Sequence, residues 1–307
     1  MFSSIGGFYC LAAFASGVAA APASDLSAAL AGFPSLTSLK SLVDQRPAVF
    51  DALLSSHPSV TVLAPDNDAF AKYSSTNGQP LSQAASADLN NILSYHILGA
   101  GLTSANFSAA RGITIPTLLQ GELYNNRSAG AELTQTFGAD ANGQVVYVQA
   151  RQHEDAGFSL QAGGDADAAI LMALDKTWPG GYLHIVNQVL DLPRNCSNTL
   201  EGESSLKTLS ESLENTDVYD AIDYASNVTC LAPSNAAFEA AGNPQENLSR
   251  SELNSIMWSY ALPQPLYPDH IRDGMELTSM GNTTIKITLK GNDTYFNDAK
   301  VVQSPLL

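Results

Sequence analysis

Apolar positions along this chain recur at two spacings. Leu26, Leu30, Leu36, Leu39, Leu42, Val43, Phe50, Leu53 and Leu54 fall at helical spacing, with Pro34 separating one or two helices and Pro47 opening or kinking the second. Val60 to Ala64 is a short β-branched run that Pro65 ends by removing an N–H. Asp66 or Asn67 can then accept from the free amides of a helix beginning near Asp68. A polar loop over 74–79 leads to a second helical stretch, Leu89 to Leu98, which carries Tyr95-His96 near its end. From Gly112 the texture changes to short runs broken by Gly, Asn and Pro, including Ile113 to Ile115 and Val145 to Val148. This pattern predicts antiparallel strands. Apolar runs over 168–174 and 182–190 complete the pattern, and Leu192-Pro193 closes it.

The same order of elements then begins again. Val228-Thr-Cys-Leu-Ala-Pro-Ser-Asn-Ala-Ala-Phe238 repeats Val60-Thr-Val-Leu-Ala-Pro-Asp-Asn-Asp-Ala-Phe70, and Leu253 to Leu262 repeats Leu89 to Leu98. Two landmarks repeated in the same order mean two copies of one domain. Leu206, Leu209, Leu213, Val218, Tyr219 and Ile222 repeat the leading helices, and Ile285 to Leu289 repeats a strand. The division that follows is a first domain over 21–194, a polar linker over 195–203 and a second domain over 204–307. No counterpart of the 182–190 run appears in the second copy, and the family resemblance given below implies that this run is a strand of the sheet, so that the second sheet lacks its closing strand and leaves an unpaired edge. An incomplete sequence, a chosen end-point, and a natural variant whose edge a partner covers are the three explanations.

Thr61 to Phe70, Leu89 through Tyr95-His96, and Gly181-Tyr-Leu-His-Ile-Val-Asn-Gln-Val-Leu190 resemble, in order, the three signatures of the fasciclin domain of extracellular adhesion proteins. The second copy departs from them, with Ser259-Tyr260 where Tyr95-His96 stands. The resemblance implies an α+β fold, two tandem domains that are each a small β-sheet wedge packed with several helices. It also implies adhesion without catalysis. In some animal members the corresponding Tyr-His is associated with receptor binding, which makes Tyr95 and His96 the candidate binding pair. The alternative is that both rings pack the core and their polar atoms satisfy backbone groups.

Residues 1–20 have the texture of a secretory signal peptide, an apolar run through Phe8, Leu11, Phe14 and Val18 that ends in small residues. The missing Lys or Arg before that run departs from the rule, and a retained hydrophobic helix is the competing reading. No later run reaches the length of a membrane span. Export makes Cys196 and Cys230 a candidate disulfide once Cys10 leaves with the leader, against a free pair. It also gives meaning to seven Asn-x-Ser/Thr triplets, at Asn106, Asn126, Asn195, Asn227, Asn247, Asn282 and Asn292, which together predict a surface-glycosylated secreted protein. Disulfide formation would compete with glycan transfer at Asn195-Cys196-Ser197.

With 30 acidic against 14 basic residues the formal charge is −16, which argues against a nucleic-acid partner and against docking on anionic lipid. Forty-five per cent apolar residues in 307 supply enough material for two cores. The chain has no nucleophile elbow, zinc-helix motif or phosphate-binding glycine loop, and His57, His96, His153, His184 and His270 are scattered. No catalytic residue, metal site or cofactor is therefore expected. Glu154-Asp155 with Gly163 to Asp167 could bind calcium, but this segment lacks the spacing of an EF-hand loop and also reads as a solvated turn. The expected function is adhesion at a cell surface, matrix or wall, with an extracellular protein or polysaccharide as partner. Carriage of a small apolar ligand between helices and sheet is the alternative, and an unrecognised hydrolase the third reading.

Overall fold

The computed structural model describes residues 22–55, 57–121, 123–124, 127–151, 157–163 and 168–302. The expected leader, Asn126, Glu154-Asp155 and most of the Gly163–Asp167 stretch lie outside the described residues. The first domain runs α1 (Ala23–Leu30), α2 (Thr37–Gln45), α3 (Pro47–Leu54), β1 (Val60–Pro65), α4 (Asn67–Asn77), α5 (Ser86–Tyr95), β2 (Ile97–Leu98) and β3 (Ile113–Pro116). It continues with α6 (Gly130–Phe137), β4 (Val145–Ala150), β5 (Phe158–Gln161), β6 (Ala169–Trp178) and β7 (Gly181–Val186).

Its seven strands form one sheet in the order β2-β1-β7-β6-β5-β4-β3. A bridge between Leu98 and Thr117 brings the β3 end back to β2, so the sheet folds into a wedge. β1 is buried along its whole length because it pairs on both sides, antiparallel with β2 and parallel with β7. That position explains a continuous apolar run where a half-exposed strand would alternate. Successive side chains of β1 still point to opposite faces. Val60, Val62 and Ala64 join Leu26, Leu42 and Phe50 under the helices, whereas Leu63 joins Tyr95, Phe107 and Val146 inside the wedge.

The second domain repeats this plan with α7 (Cys196–Gly202), α8 (Lys207–Glu214), α9 (Val218–Tyr224), β8 (Thr229–Cys230), α10 (Asn235–Ala240), α11 (Arg250–Ser259) and β9 (Ala261–Leu262). The strands β10 (Glu276–Thr278), β11 (Thr284–Lys290), β12 (Asp293–Phe296) and β13 (Ala299–Lys300) follow as a separate antiparallel sheet in sequence order. The stretch 195–203, read from its composition as a polar linker, carries the short helix α7. Asn195 caps α7 by accepting from Asn198 N at 3.1 Å, and the helix buries Leu200 in the core formed with Leu209 and Leu213. One apolar residue in a polar stretch suffices for so short a helix, which is why its composition resembles a linker.

The two copies share atomic detail. Thr61 Oγ1 donates to Ala100 O and accepts from Leu102 N, both at 2.8 Å; Thr229 Oγ1 does the same with Gln264 O and Leu266 N, both at 2.9 Å. Asp66 and Ser234 cap the following helix through Ala69 N and Ala237 N. The neighbouring asparagine has a different task, tying that helix to the domain's first turn. Asn67 accepts from Ser38 N at 2.9 Å and donates to Pro34 O at 3.0 Å, and Asn235 repeats this with Thr208 N and Ser204 O at 2.9 Å each. Replacing either asparagine by alanine strands both backbone groups. We expect each variant to lose about 1–2 kcal/mol, read as a lower urea midpoint at unchanged slope and confined to the mutated domain.

Candidate functional site

Tyr95 and His96, the candidate binding pair, sit where α5 turns into β2, with 0% and 4% of their surface exposed. The Tyr95 hydroxyl donates to Val145 O and accepts from Gly163 N, both at 3.0 Å, so it joins α5 to the far side of the wedge. His96 Nδ1 lies 2.8 Å from Ile92 O, and Nε2 accepts from Leu190 N at 3.0 Å. Those two contacts require the neutral tautomer with its proton on Nδ1. Burial therefore drives the Tyr95 hydroxyl far above its ordinary value and holds His96 down to about 4. All three polar side-chain atoms of the pair are engaged inside the first domain. Ser259 and Tyr260 take these places in the second copy, where the Ser259 hydroxyl reaches Thr283 Oγ1 at 3.0 Å.

His184 is likewise interior. Its Nε2 lies 2.9 Å from Leu102 O, Asp175 N donates to Nδ1 at 3.2 Å, and burial lowers its affinity for a proton. The other described histidines, His57 and His270, lie apart from it. Among the described residues no group of His, Cys, Asp and Glu is placed to hold a metal ion.

Cys196 begins α7 and Cys230 ends β8, and their sulfurs lie 3.2 Å apart. Both are free thiols, so the expected bridge is not formed in the structure although the two atoms touch. The hydrogen bond with Cys230, burial and the nearby charges of Cys230 and Asp223 push the Cys196 thiol upward.

Among the acceptor asparagines, Asn106, Asn195, Asn247, Asn282 and Asn292 are exposed, Asn227 is half-buried, and Asn126 lies outside the described residues. Asn227 is half-buried because it takes part in the seam between the domains. Its Oδ1 accepts from Ser128 N at 2.6 Å and from Ser128 Oγ at 3.0 Å.

The apolar periodicity of the sequence does not mark that seam. The carboxylate of Asp269 accepts from Thr114 N at 2.8 Å and from Thr114 Oγ1 at 2.6 Å, capping the outer edge of β3. Arg111 Nε donates to Pro268 O at 3.1 Å, and Arg272 Nη2 pairs with Glu132 at 2.9 Å. Tyr267, only 8% exposed, packs on Leu133, Ala141 and Val145 of the first domain. An aromatic anchor with a charged rim is the anatomy of a specific interface, and only the unusual run Tyr267-Pro268-Asp269-His270 hints at it.

Two interior cavities lie beneath the signature strands. One, of about 10 Å³, is lined by Phe50, Val62, Leu63 and Ile97; the other, of about 20 Å³, by Leu209, Cys230, Leu231 and Met257. Each has room for roughly one water molecule. Among the described residues no helix is long and apolar enough to cross a membrane.

Comparison with known proteins adds the following. The model of the fasciclin domain matches residues 34–193 and again 204–306. A fasciclin-like arabinogalactan protein of Arthroderma benhamiae is 23% identical over 288 residues, 93% of this chain and 63% of that protein. The transforming growth factor-beta-induced protein ig-h3 of Sus scrofa is 21% identical over 252 residues, 80% of this chain and 32% of that protein. The chain thus spans less than two thirds of either relative. The solved FAS1 domain pair of the insect cell adhesion molecule fasciclin I covers 87% of this chain, and this chain covers 89% of that one, with 16% identity and a TM-score of 0.40.

Proposed function

The chain belongs to the fasciclin domain family, a family with a non-catalytic, adhesion-type role, and on that premise we propose that it is a secreted glycoprotein binding a protein or polysaccharide of a cell surface, matrix or wall. The observation that carries this reading is the match of both halves of the chain to that one domain. Its two copies can engage together because the seam around Tyr267 and Asp269 holds them in one arrangement. Two weak contacts held in this way gain from effective concentration without any new chemistry. The exposed acceptor asparagines favour a glycan-bearing surface, and the Tyr95-His96 pair is assigned to holding the first domain together. The two cavities beneath the signature strands, of about 10 and 20 Å³, are too small for an organic ligand and lend the carrier reading no support.

The test is the protein secreted by its native cells. We expect a species starting near Ala21, carrying several N-linked glycans that enzymatic removal takes off, and retained on immobilised wall or matrix polymer. Recovery of an unglycosylated species inside the cell with Met1 in place would overturn the reading.

A further inference from the structure

We propose that Asn227 is a modification site that decides whether the two domains dock, because a glycan on its side chain and the seam around Tyr267 exclude each other. This inference takes its supply of glycans from the reading of the chain as a secreted glycoprotein, and adds what one of them does. Asn227-Val228-Thr229 is an acceptor triplet in the turn between α9 and β8. Its asparagine has φ 58°, in the left-handed region that asparagine tolerates better than most residues. Asn227 Oδ1 accepts from Ser128 N at 2.6 Å and from Ser128 Oγ at 3.0 Å. The acceptor amide of the second domain is thus itself a contact with the first. Asn247 and Asn282, by contrast, are exposed.

Glycosylation makes the side-chain amide secondary. A bond forms between Nδ2 and the anomeric carbon of the sugar, the bond from that carbon to the donor's phosphate oxygen breaks, and Nδ2 gives up a proton. Like a peptide unit, a secondary amide is planar and almost always trans, which sets the carbonyl oxygen and the carbon on the nitrogen side by side. The first carbon of the sugar therefore stands next to Oδ1, where Ser128 N and Oγ converge at hydrogen-bond distance. A sugar ring there competes with Ser128 for one space. The exclusion also runs the other way, since a transferase must reach Nδ2 in the space that Ser128 fills.

Neither side of this contact is free to give way alone. Just past Asn227, Thr229 Oγ1 donates to Gln264 O and accepts from Leu266 N, both at 2.9 Å, and Leu266 leads directly into Tyr267. On the other side Ser128 is followed by Ala129 and by α6, whose Leu133 receives the Tyr267 ring together with Ala141 and Val145. A displacement that makes room for a sugar at Asn227 is therefore passed on to the aromatic anchor. Lifting Tyr267 also withdraws Asp269 from Thr114 and Arg272 from Glu132, because all three belong to one short segment. With Asn227 bare the two domains are one body; with Asn227 modified they are two bodies joined by the chain.

The test uses the full chain made without glycans, so it does not depend on export. A soluble N-glucosyltransferase with UDP-glucose places one glucose on the asparagine of the same triplet, and peptide mapping follows each site. Asn247 and Asn282 are the references within the molecule. We expect Asn227 to fill about tenfold more slowly than these two, and a Tyr267→Ala, Asp269→Ala double variant to close most of that gap. In the fraction that carries glucose at Asn227, amide exchange at Ser128 and Thr114 should quicken about tenfold. Leu190 N, held inside the first domain by His96, should keep its protection in that fraction and in the double variant. Glucose at Asn227 with Ser128 and Thr114 still protected overturns the proposal, as does a double variant in which Asn227 stays as slow as before. Loss of protection at Leu190 in the modified fraction also overturns it, because the sugar would then unfold the first domain and not undock it. Retention on wall or matrix polymer is measured separately on the secreted protein, so failure here leaves the adhesion reading standing.

Discussion

Lowering the pH from 7 to 4 is expected to weaken the first domain by about 3 kcal/mol through His96 alone, with the second domain untouched by this route. The sign follows from the proton count. An unfolded histidine takes up its proton near 6.5, but the buried ring resists until about 4, because burial strips the charged form of solvent, and its Nε2 is already the acceptor for Leu190 N. Between those values the unfolded chain binds more protons than the folded one, so stability is full above pH 6.5 and falls with every step toward 4. Below 4 both states are protonated and this loss is complete. Tyr260 occupies the same place in the second domain, which therefore has no imidazole there. The measurement is denaturant unfolding, followed domain by domain through amide exchange, at pH 7, 5.5 and 4.5. A His96→Phe variant should start about 1–3 kcal/mol lower at pH 7, since Leu190 N loses its acceptor, yet show a flatter dependence on pH. An unchanged slope in that variant would remove His96 from the explanation.

The buried pair that produces this effect was legible as a helix end among apolar neighbours, because Ile92, Leu93, Ile97 and Leu98 lie close in sequence. Its partners were not, since Val145, Gly163 and Leu190 arrive from 50 to 94 residues away. The same contrast runs through the fold. Pro65 and Asp66 act locally, ending a strand and capping a helix, and their roles follow from residue type. Asn67 stands beside them, but its partners Pro34 and Ser38 belong to the domain's first turn, so its sequence neighbours suggest a cap when its task is a tie. The parallel placement of β7 on β1 was not legible, since the family resemblance implied only that the 182–190 run belongs to the sheet. Apolar periodicity marks a strand and leaves its neighbours open. The seam is the least visible feature, because Asp269 is one of 30 acidic residues and only its contact with the free edge of β3 distinguishes it.

Oxidation of Cys196 and Cys230 is expected to stabilise the second domain by about 3–4 kcal/mol and to leave the first unchanged, the value following from closure of the chain between two cysteines 34 positions apart. Each sulfur loses one hydrogen as the S–S bond forms, and oxidised glutathione, used as the oxidant, takes up the two electrons and both protons. The sulfurs already touch at 3.2 Å, so approach to bond length needs only a small shift of α7 against β8. That shift acts where the second domain is weakest in pairing, at a two-residue strand held by one neighbour. A bridge would also set disulfide and glycan in competition, because Asn195 caps α7 and donates from Nδ2 to Asp223 at 3.0 Å. Peptide mapping of the protein without reduction, with calorimetry before and after reduction, reads both effects. The expected result is a linked Cys196–Cys230 peptide with no glycan at Asn195, and a second-domain transition that moves down alone on reduction. Alkylation of both thiols in the folded protein under oxidising conditions would show that contact at 3.2 Å is a thiol pair and not the precursor of a bond.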